Sequence, residues 1–340
     1  MRLIEKVWFD NHNAKWWLVP LLLPLTALFF ILSSIRRFAF SLGLFKSYSV
    51  SKPVIVVGNI GVGGNGKTPV VIHLVELAKT LGLKPGVISR GYGGKADVYP
   101  YSLSTLSTTE QAGDEPILIF KRCHVPVVVG SDRVANAQKL IELGCDVIIS
   151  DDGLQHYRLQ RDLEIIVVDG KRLFGNGLLL PAGPLREGSW RLNNADIVIF
   201  NGEGKAREEG CQIRDKFSSM TLVATKLCHI KTGKEVSLTD FLANNTKVNA
   251  IAGIGSPQRF FDTLQQLGFN LGKQKGFIDH KNFTLDDFNQ FKEDLPLFMT
   301  EKDAVKCLGF AKDNWWYLPV DARFSEQDEQ VLIQHIKQLA

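Results

Sequence analysis

Eight consecutive residues, Gly61-Val62-Gly63-Gly64-Asn65-Gly66-Lys67-Thr68, fill every fixed position of the pattern G-x-x-x-x-G-K-[ST]. This spacing is that of a phosphate-binding loop. Its glycines let the backbone turn N–H groups inward around phosphate oxygens. Lys67 would reach the β- and γ-phosphates, and the Thr68 hydroxyl would ligate Mg²⁺. The apolar run Val54–Val57 precedes the loop and a helix-forming stretch follows it, the context the motif requires. Pro69 suits the first helical turn, where its missing N–H is no loss. Val62 stands where membrane-partitioning ATPases carry an additional lysine, which argues against that subclass.

A nucleotide site of this kind needs a carboxylate for the metal ion or its waters. Asp151 and Asp152 emerge from the apolar run Val147–Ser150, at the strand end where open α/β sheets bind ligands. The alternative is that both only cap the turn. Asp114, in Gly-Asp-Glu-Pro, is either an acid–base candidate or the cap of the next helix. Arg133 follows a strand at a helix start, as a phosphate neutraliser or a solvated arginine. Arg186 and Glu187 end a Pro/Gly loop without periodicity, a segment type that often carries function. His280, after Asp279, is by residue type alone more often structural than catalytic. The turn Gly253-Ile254-Gly255-Ser256-Pro257-Gln258 lacks the third glycine of a dinucleotide fingerprint and reads as an ordinary strand–helix turn.

Short apolar runs alternate with helical patterns behind these residues. Val54–Val57, Gly86–Ser89, Val125–Val129, Val147–Ser150, Ile165–Asp169 and Ile197–Phe200 read as buried strands. Pro69–Leu81, Ile117–Arg122 and Arg133–Leu143 read as helices. Continuous apolar strands between helices indicate a parallel sheet covered on both faces, hence an α/β fold. Later, Leu222–Thr225, Ala250–Ile254, Leu297–Thr300 and Trp315–Pro319 read as strands. Pro257–Leu267, Phe283–Phe291 and Gln327–Leu339 read as helices. The polar stretch Gly202–Gly210 marks the expected boundary between a P-loop domain, 37–201, and a smaller Rossmann-like lobe, 202–340.

The remaining segment, 1–36, is different. Trp16 to Ile35 is twenty residues without a charge, about what a hydrocarbon core requires. Lys15 with Trp16-Trp17 flanks one end and Arg36-Arg37 the other, as at a membrane interface. Pro20 and Pro24 argue against one straight helix. A buried core hairpin and a cleaved signal are the alternatives, though no small-residue cleavage site follows. Residues 1–50 hold six basic and two acidic residues, which accounts for the whole net charge of +4 in a chain of 340. Basic excess confined to one end argues against a nucleic-acid-binding body and for contact with an anionic surface. Five widely spaced cysteines without a CxxC pair argue against a disulfide framework and a structural zinc site and fit a reducing compartment.

Taken together the motifs resemble the tetraacyldisaccharide 4′-kinase family of lipid A biosynthesis over nearly the whole chain. They are Gly58–Pro69, Ser89–Gly94, Ala112–Pro116, Asp151–His156, Phe174–Gly177, Leu180–Glu187, Asp279-His280 and Thr300–Lys306. The resemblance implies transfer of the γ-phosphoryl of ATP to the 4′-hydroxyl of an acylated glucosamine disaccharide phosphate, at the cytoplasmic face of an inner membrane. It implies an Asp114–His280 dyad activating that hydroxyl and Lys67 on phosphate. It also implies Thr68, Asp152 and Glu187 on Mg²⁺, with Asp151 and Arg133 supporting the reacting centre. It names no protein partner. A membrane-associated GTPase is the alternative, because Asp152-Gly153 and Thr300-Glu301-Lys302-Asp303 faintly echo magnesium- and guanine-reading motifs.

Overall fold

A computed structural model describes residues 3–202 and 216–339. Two N-terminal helices, α1 (Leu3–Phe9) and α2 (Lys15–Ser41), come first. The chain then enters β1 (Val54–Gly58), α3 (Lys67–Thr80), β2 (Pro85–Ser89), β3 (Tyr101–Ser102), α4 (Thr109–Ala112) and α5 (Asp114–Cys123). β4 (Val127–Val129), α6 (Arg133–Glu142), β5 (Val147–Asp151), β6 (Leu163–Asp169), β7 (Ile197–Asn201) and β8 (Phe217–Val223) complete the first run. A second run holds β9 (Lys226–His229), β10 (Glu235–Ser237), α7 (Leu238–Asn244), β11 (Lys247–Ala252), α8 (Pro257–Gln266) and β12 (Asn270–Gly276). It continues through β13 (Leu297–Thr300), α9 (Glu301–Cys307), β14 (Trp315–Leu318), β15 (Asp321–Phe324) and α10 (Glu326–Leu339).

The α/β expectation holds. The larger sheet runs β15-β8-β7-β6-β1-β5-β2-β4-β3. Seven of its strands are parallel, and β15 and β3 pair antiparallel at the two edges. Every residue of β1, β2, β5 and β6 is buried, which explains why these strands read as unbroken apolar runs. The register sets Val57 beside Asp151 and Asp169 beside Asn201, so the C-terminal ends of neighbouring strands meet at one edge of the sheet. The smaller sheet, β10-β9-β14-β13-β11-β12, surrounds its own core of Phe260, Leu264, Phe269 and Phe298.

The sheets divide the chain differently from the boundary expected at 202. β8 and β15 lie in the larger sheet, and α10 packs on that sheet's core through Leu332 and Ile336, both fully buried. The smaller lobe is therefore an insertion, residues 226–318, in a domain that opens and closes around it. Most of the polar boundary stretch, residues 203–210, lies outside the described residues. Other local differences have physical causes. The helix expected at Ile117–Arg122 begins three residues earlier, at Asp114. Phe283–Phe291 forms only a short 3₁₀ turn, Leu285–Phe288, bounded by reciprocal Thr284 and Asp287 capping bonds. Its phenylalanines are apolar because they fill a core, not because they share a helix face. Pro20 and Pro24 leave α2 one uninterrupted helix of 27 residues. Strand β12 escaped notice because it is a mostly exposed edge strand of polar composition.

Because α10 closes the core of the larger domain, Leu332→Ala should destabilise that domain by about 2–5 kcal/mol. Denaturant titration followed by tryptophan fluorescence measures this, and an unchanged midpoint would show that the helix is only appended.

Candidate active site

The phosphate loop is built by close approach. Gly63 and Gly66 sit at φ +109° and +93°, in the left-handed region. A Cβ on Gly66 would stand 2.6 Å from Asn201 Nδ2, at the end of β7, and 2.8 Å from Met220 Cε, in the middle of β8. Asn201 Nδ2 also donates to the Asn65 carbonyl at 3.2 Å, and Val62 N–H donates to the Pro184 carbonyl at 2.9 Å. These contacts brace Gly61–Gly66 from behind, while a Cβ on Gly64 would meet only open space. Lys67 begins α3, and its Nζ lies 3.5 Å from Asp152 Oδ1. Thr68 follows in the first turn of the same helix.

Asp151 is the last residue of β5, and Asp152 turns away at φ +49°. Asp152 pairs with Lys67 and, at 3.1 Å, with Arg186. Burial favours its neutral form, but the two cations outweigh burial and hold its carboxyl below the usual range. Asp151 is wholly enclosed. Burial, reinforced by the nearby charges of Glu115 and Asp152, pushes its carboxyl up to about 7 against the pull of Lys67 and Arg133. Arg133 opens α6 beneath it and donates from Nη2 to the Asp151 carbonyl at 3.1 Å. Burial also lowers this guanidinium, to about 10. Arg133 Nη1 and Asp151 Oδ1 are both buried without a hydrogen-bond partner. Orphaned buried groups of opposite charge are expected where an ionic ligand completes the network.

Glu187 lies deeper. Its carboxylate accepts from Gln155 Nε2 and the Tyr157 hydroxyl, each at 2.9 Å, and faces Arg191 Nε at 3.3 Å. Only one of these bonds falls on Oε1, which leaves that oxygen acceptor capacity. Among the described residues no three His, Cys, Asp or Glu side chains form a metal cage. A Mg²⁺ site of one or two carboxylates plus substrate phosphates has no such cage.

Asp114 and His280 meet across the two sheets. Asp114 is the first residue of α5, where the helix dipole favours negative charge. Gly113 precedes it at φ +86°, and a Cβ there would lie 2.5 Å from the Tyr92 carbonyl. His280 belongs to the smaller lobe, is itself at φ +58°, and sets Nδ1 3.1 Å from Asp114 Oδ2. The Tyr92 ring closes over the imidazole at 5.1 Å. Burial raises the Asp114 carboxyl, but the His280 bond with Lys302 and Lys306 outweighs it and the net shift is down. The bond to Asp114 raises His280 in turn, against burial and the Lys302 charge.

Further contacts that the sequence did not single out hold the lobes together. Arg259 of α8 grips Asp169 at the end of β6, with Nη1 at 2.6 Å and Nη2 at 2.9 Å. Arg122 of α5 bonds Glu301 of α9 at 2.6 Å and also Asp321 of β15. The turn read as ordinary, Gly253–Gln258, faces the phosphate loop: a Cβ on Gly255 would stand 3.8 Å from Gly64 N and 3.9 Å from Asp279 Oδ2. The dyad's own loop and the phosphate loop thus lie on either side of Gly255. No sequence signal marked Arg259 or Asp169. Lys302 and Lys306 were visible only within the Thr300–Lys306 motif.

That motif does not read a base. Thr300 caps α9 through Asp303 N–H, Asp303 accepts the Gly253 N–H at 2.8 Å, and Lys302 turns to the dyad. A family profile described as Tetraacyldisaccharide-1-P 4′-kinase matches residues 18–339. The chain is 64% identical over 333 residues to a tetraacyldisaccharide 4′-kinase of Colwellia psychrerythraea, covering 98% of this chain and 96% of the relative. It is 48% identical over 338 residues to the Vibrio vulnificus protein of the same name, covering 99% and 97%. A crystal structure of LpxK from Aquifex aeolicus in complex with ATP superposes with a TM-score of 0.79 at 30% identity, over 95% of this chain and 99% of that one. The GTPase alternative is therefore overturned, and the chain belongs to the tetraacyldisaccharide 4′-kinase family.

Proposed function

We propose that the chain transfers the γ-phosphoryl group of ATP to the 4′-hydroxyl of a tetraacylated glucosamine disaccharide 1-phosphate, with Asp114 as general base. The observation that carries this reading is the approach of His280 Nδ1 to within 3.1 Å of Asp114 Oδ2, next to the phosphate loop across Gly255. The names of the curated relatives support the acceptor, and the ATP complex of the Aquifex protein supports the donor. Lys67 and the loop N–H groups would hold the phosphates, and Arg133 would neutralise charge on the group in flight. Thr68, Asp152 and Glu187 would hold Mg²⁺, with Asp151 supporting the same site, and the ion would supply neutralisation of the negative charge on the transferring phosphate.

The chemistry needs positioning more than nucleophile strength, since the transition state is loose. As the 4′-oxygen bonds phosphorus, the bond to the β–γ bridging oxygen breaks and its electron pair leaves with ADP. The hydroxyl proton passes to Asp114, and the His280 Nδ1–H steadies the carboxylate until it does. A dyad with both imidazole nitrogens protonated opposes this step, because the imidazolium makes Asp114 a weaker base.

The acceptor's acyl chains stay in the bilayer, at about 0.8 kcal/mol per CH₂. Helix α2 is, among the described residues, the one long and apolar enough to cross a membrane. We read it as lying in the interface. α1, before it, docks on the body through Trp8 Nε1 to the Pro181 carbonyl at 3.1 Å. Thr26, near the helix midpoint, receives the Ala182 N–H at 3.0 Å. At the far end Arg37 stacks 4.2 Å over Trp190, and Phe40 meets Tyr157 at 5.7 Å. A helix that follows a docked α1 and itself touches the same body at its middle and end does not cross a bilayer that the body stays outside. Trp16, Trp17, Leu21, Leu25 and Leu28 are left exposed for lipid. The body would face the cytoplasm, where ATP is.

Three outcomes follow from these readings. With labelled ATP, Mg²⁺ and the disaccharide lipid, Asp114→Ala and His280→Ala should each cut turnover by about 10²–10⁴ with ATP binding intact; near wild-type rates in both would sink the dyad. The acid limb of kcat should lie above the free imidazole value of about 6.5, because Asp114 raises His280; a limb below it contradicts the pairing. Asp10→Cys, in liposomes with the body outside, should react with an impermeant maleimide, whereas protection until detergent is added would mean that α2 spans.

A further inference from the structure

Lys302 lies at the centre of the contact between lobes, and the phosphate chemistry described above does not use it. Its Nζ is 3.0 Å from Glu115 Oε1, 3.3 Å from Asp279 Oδ1 and 3.3 Å from His280 Nε2. Asp114 Oδ2 is 3.9 Å away. The side chain is only 16% exposed. An ammonium has three protons and no acceptor, so these three near partners use all three. His280 Nε2 must then offer a lone pair. Its ring proton is left on Nδ1, the atom that faces Asp114.

We infer that Lys302 is a positioning residue of the dyad, fixing His280 as the Nδ1–H tautomer and clamping its loop against α5. The inference rests on the dyad reading of the preceding section. It gives the Thr300–Lys306 motif a task within this chain's own chemistry: α9 carries Lys302 to the dyad, Asp303 to the Gly253 turn and Glu301 to Arg122. The clamp joins two lobes, because Glu115 belongs to the larger domain and Asp279 to the smaller. It also sets a sign. A second proton on His280 would place Nε2–H against the ammonium, so Lys302 resists protonation of the imidazole. The groups facing His280 are Asp114 on α5, Lys302 on α9, its neighbour Asp279 and the Tyr92 ring, with Glu115 paired to Lys302 and Lys306 near Asp114 behind them. Removing the Lys302 charge frees Glu115 and Asp279 to favour the imidazolium, in the same direction as the loss of the cation.

The test compares Lys302→Met and Lys302→Arg with the wild type in the full-length enzyme. Lys302→Met should lower kcat at neutral pH by up to about 10²-fold, leave the KM for ATP within about twofold, and move the acid limb up by about one pH unit. Lys302→Arg should restore the limb and most of kcat. A wild-type kcat in Lys302→Met overturns the inference. So does a lost kcat with an unmoved limb, or equal damage in Lys302→Arg, since a merely structural lysine gives either. Should Lys302→Met fail to fold, ¹⁵N NMR of imidazole-labelled wild type decides. Above the limb, Nε2 of His280 should show the unprotonated shift, and an Nε2–H tautomer refutes the assignment. This spectrum is read without turnover, so it separates failure of the clamp from failure of the dyad, which the alanine variants report.

Discussion

One ionic contact between the two lobes, His280 Nδ1 at 3.1 Å from Asp114 Oδ2, constrains the rest of the molecule. Its donor and acceptor belong to domains with separate cores, so neither domain can make it alone. A bond of this kind is worth little by itself in water; it becomes specific only when the surrounding charges leave it no alternative. Asp114 is nearly fully buried, and Lys302 and Lys306 supply the compensation that a buried carboxylate needs. The Arg259–Asp169 and Arg122–Glu301 pairs lie apart from the dyad and hold the same two lobes together. Any change in how the lobes sit must exchange these pairs for water together.

The parallel sheet does the complementary work on the phosphate side. Strands β1, β5, β6 and β7 end together beside the middle of β8, and each delivers one part of the site or its support: the loop, Asp151, Asp169, Asn201 and, from β8, Met220. Left-handed residues occur at these functional edges too, with Gly66, Asp152 and His280 each turning the chain so that a side chain or N–H faces inward. Such conformations persist where the surroundings over-determine them. Gly66 is over-determined by Asn201 and Met220, and Asp152 by two cations.

What the residues disclosed, and what they withheld, follows the range of the interactions. The phosphate loop and the strand ending in Asp151-Asp152 are local patterns, in which the residues that interact are neighbours in sequence. The dyad is not local, and residue chemistry left Asp114 and His280 ambiguous until the family resemblance paired them. Arg259 and Asp169 carried no signal, because an exposed helix arginine and a strand-end aspartate are ordinary until a fold brings them to 2.6 Å. The domain boundary was misplaced for a similar reason. β8 and β15 return to the first sheet from both ends of the inserted lobe, and strand order is a tertiary fact. Phe283–Phe291 misled because apolar spacing records burial, and an irregular segment packed on aromatics is buried as thoroughly as a helix.

Helix α2 and the proposed catalytic groups are joined by a short chain of contacts. Arg36, near the end of α2, stands 5.8 Å over the Tyr157 ring, and the Tyr157 hydroxyl donates to Glu187 at 2.9 Å. Gln155 continues from Glu187 to the Asn59 carbonyl, just past β1 and two residues before the phosphate loop. Arg191 anchors the same carboxylate and also bonds Glu164, a buried residue of β6. The surface proposed to meet lipid is thus fixed to the sheet by polar and ring contacts through Tyr157 and Glu187. A headgroup held in a bilayer presents its hydroxyl at a nearly constant height, and an enzyme for it needs a nucleotide site at a matching height. On the proposed reading, attachment through Tyr157 and Glu187 would supply that match, which a tethered soluble domain would have to find by diffusion.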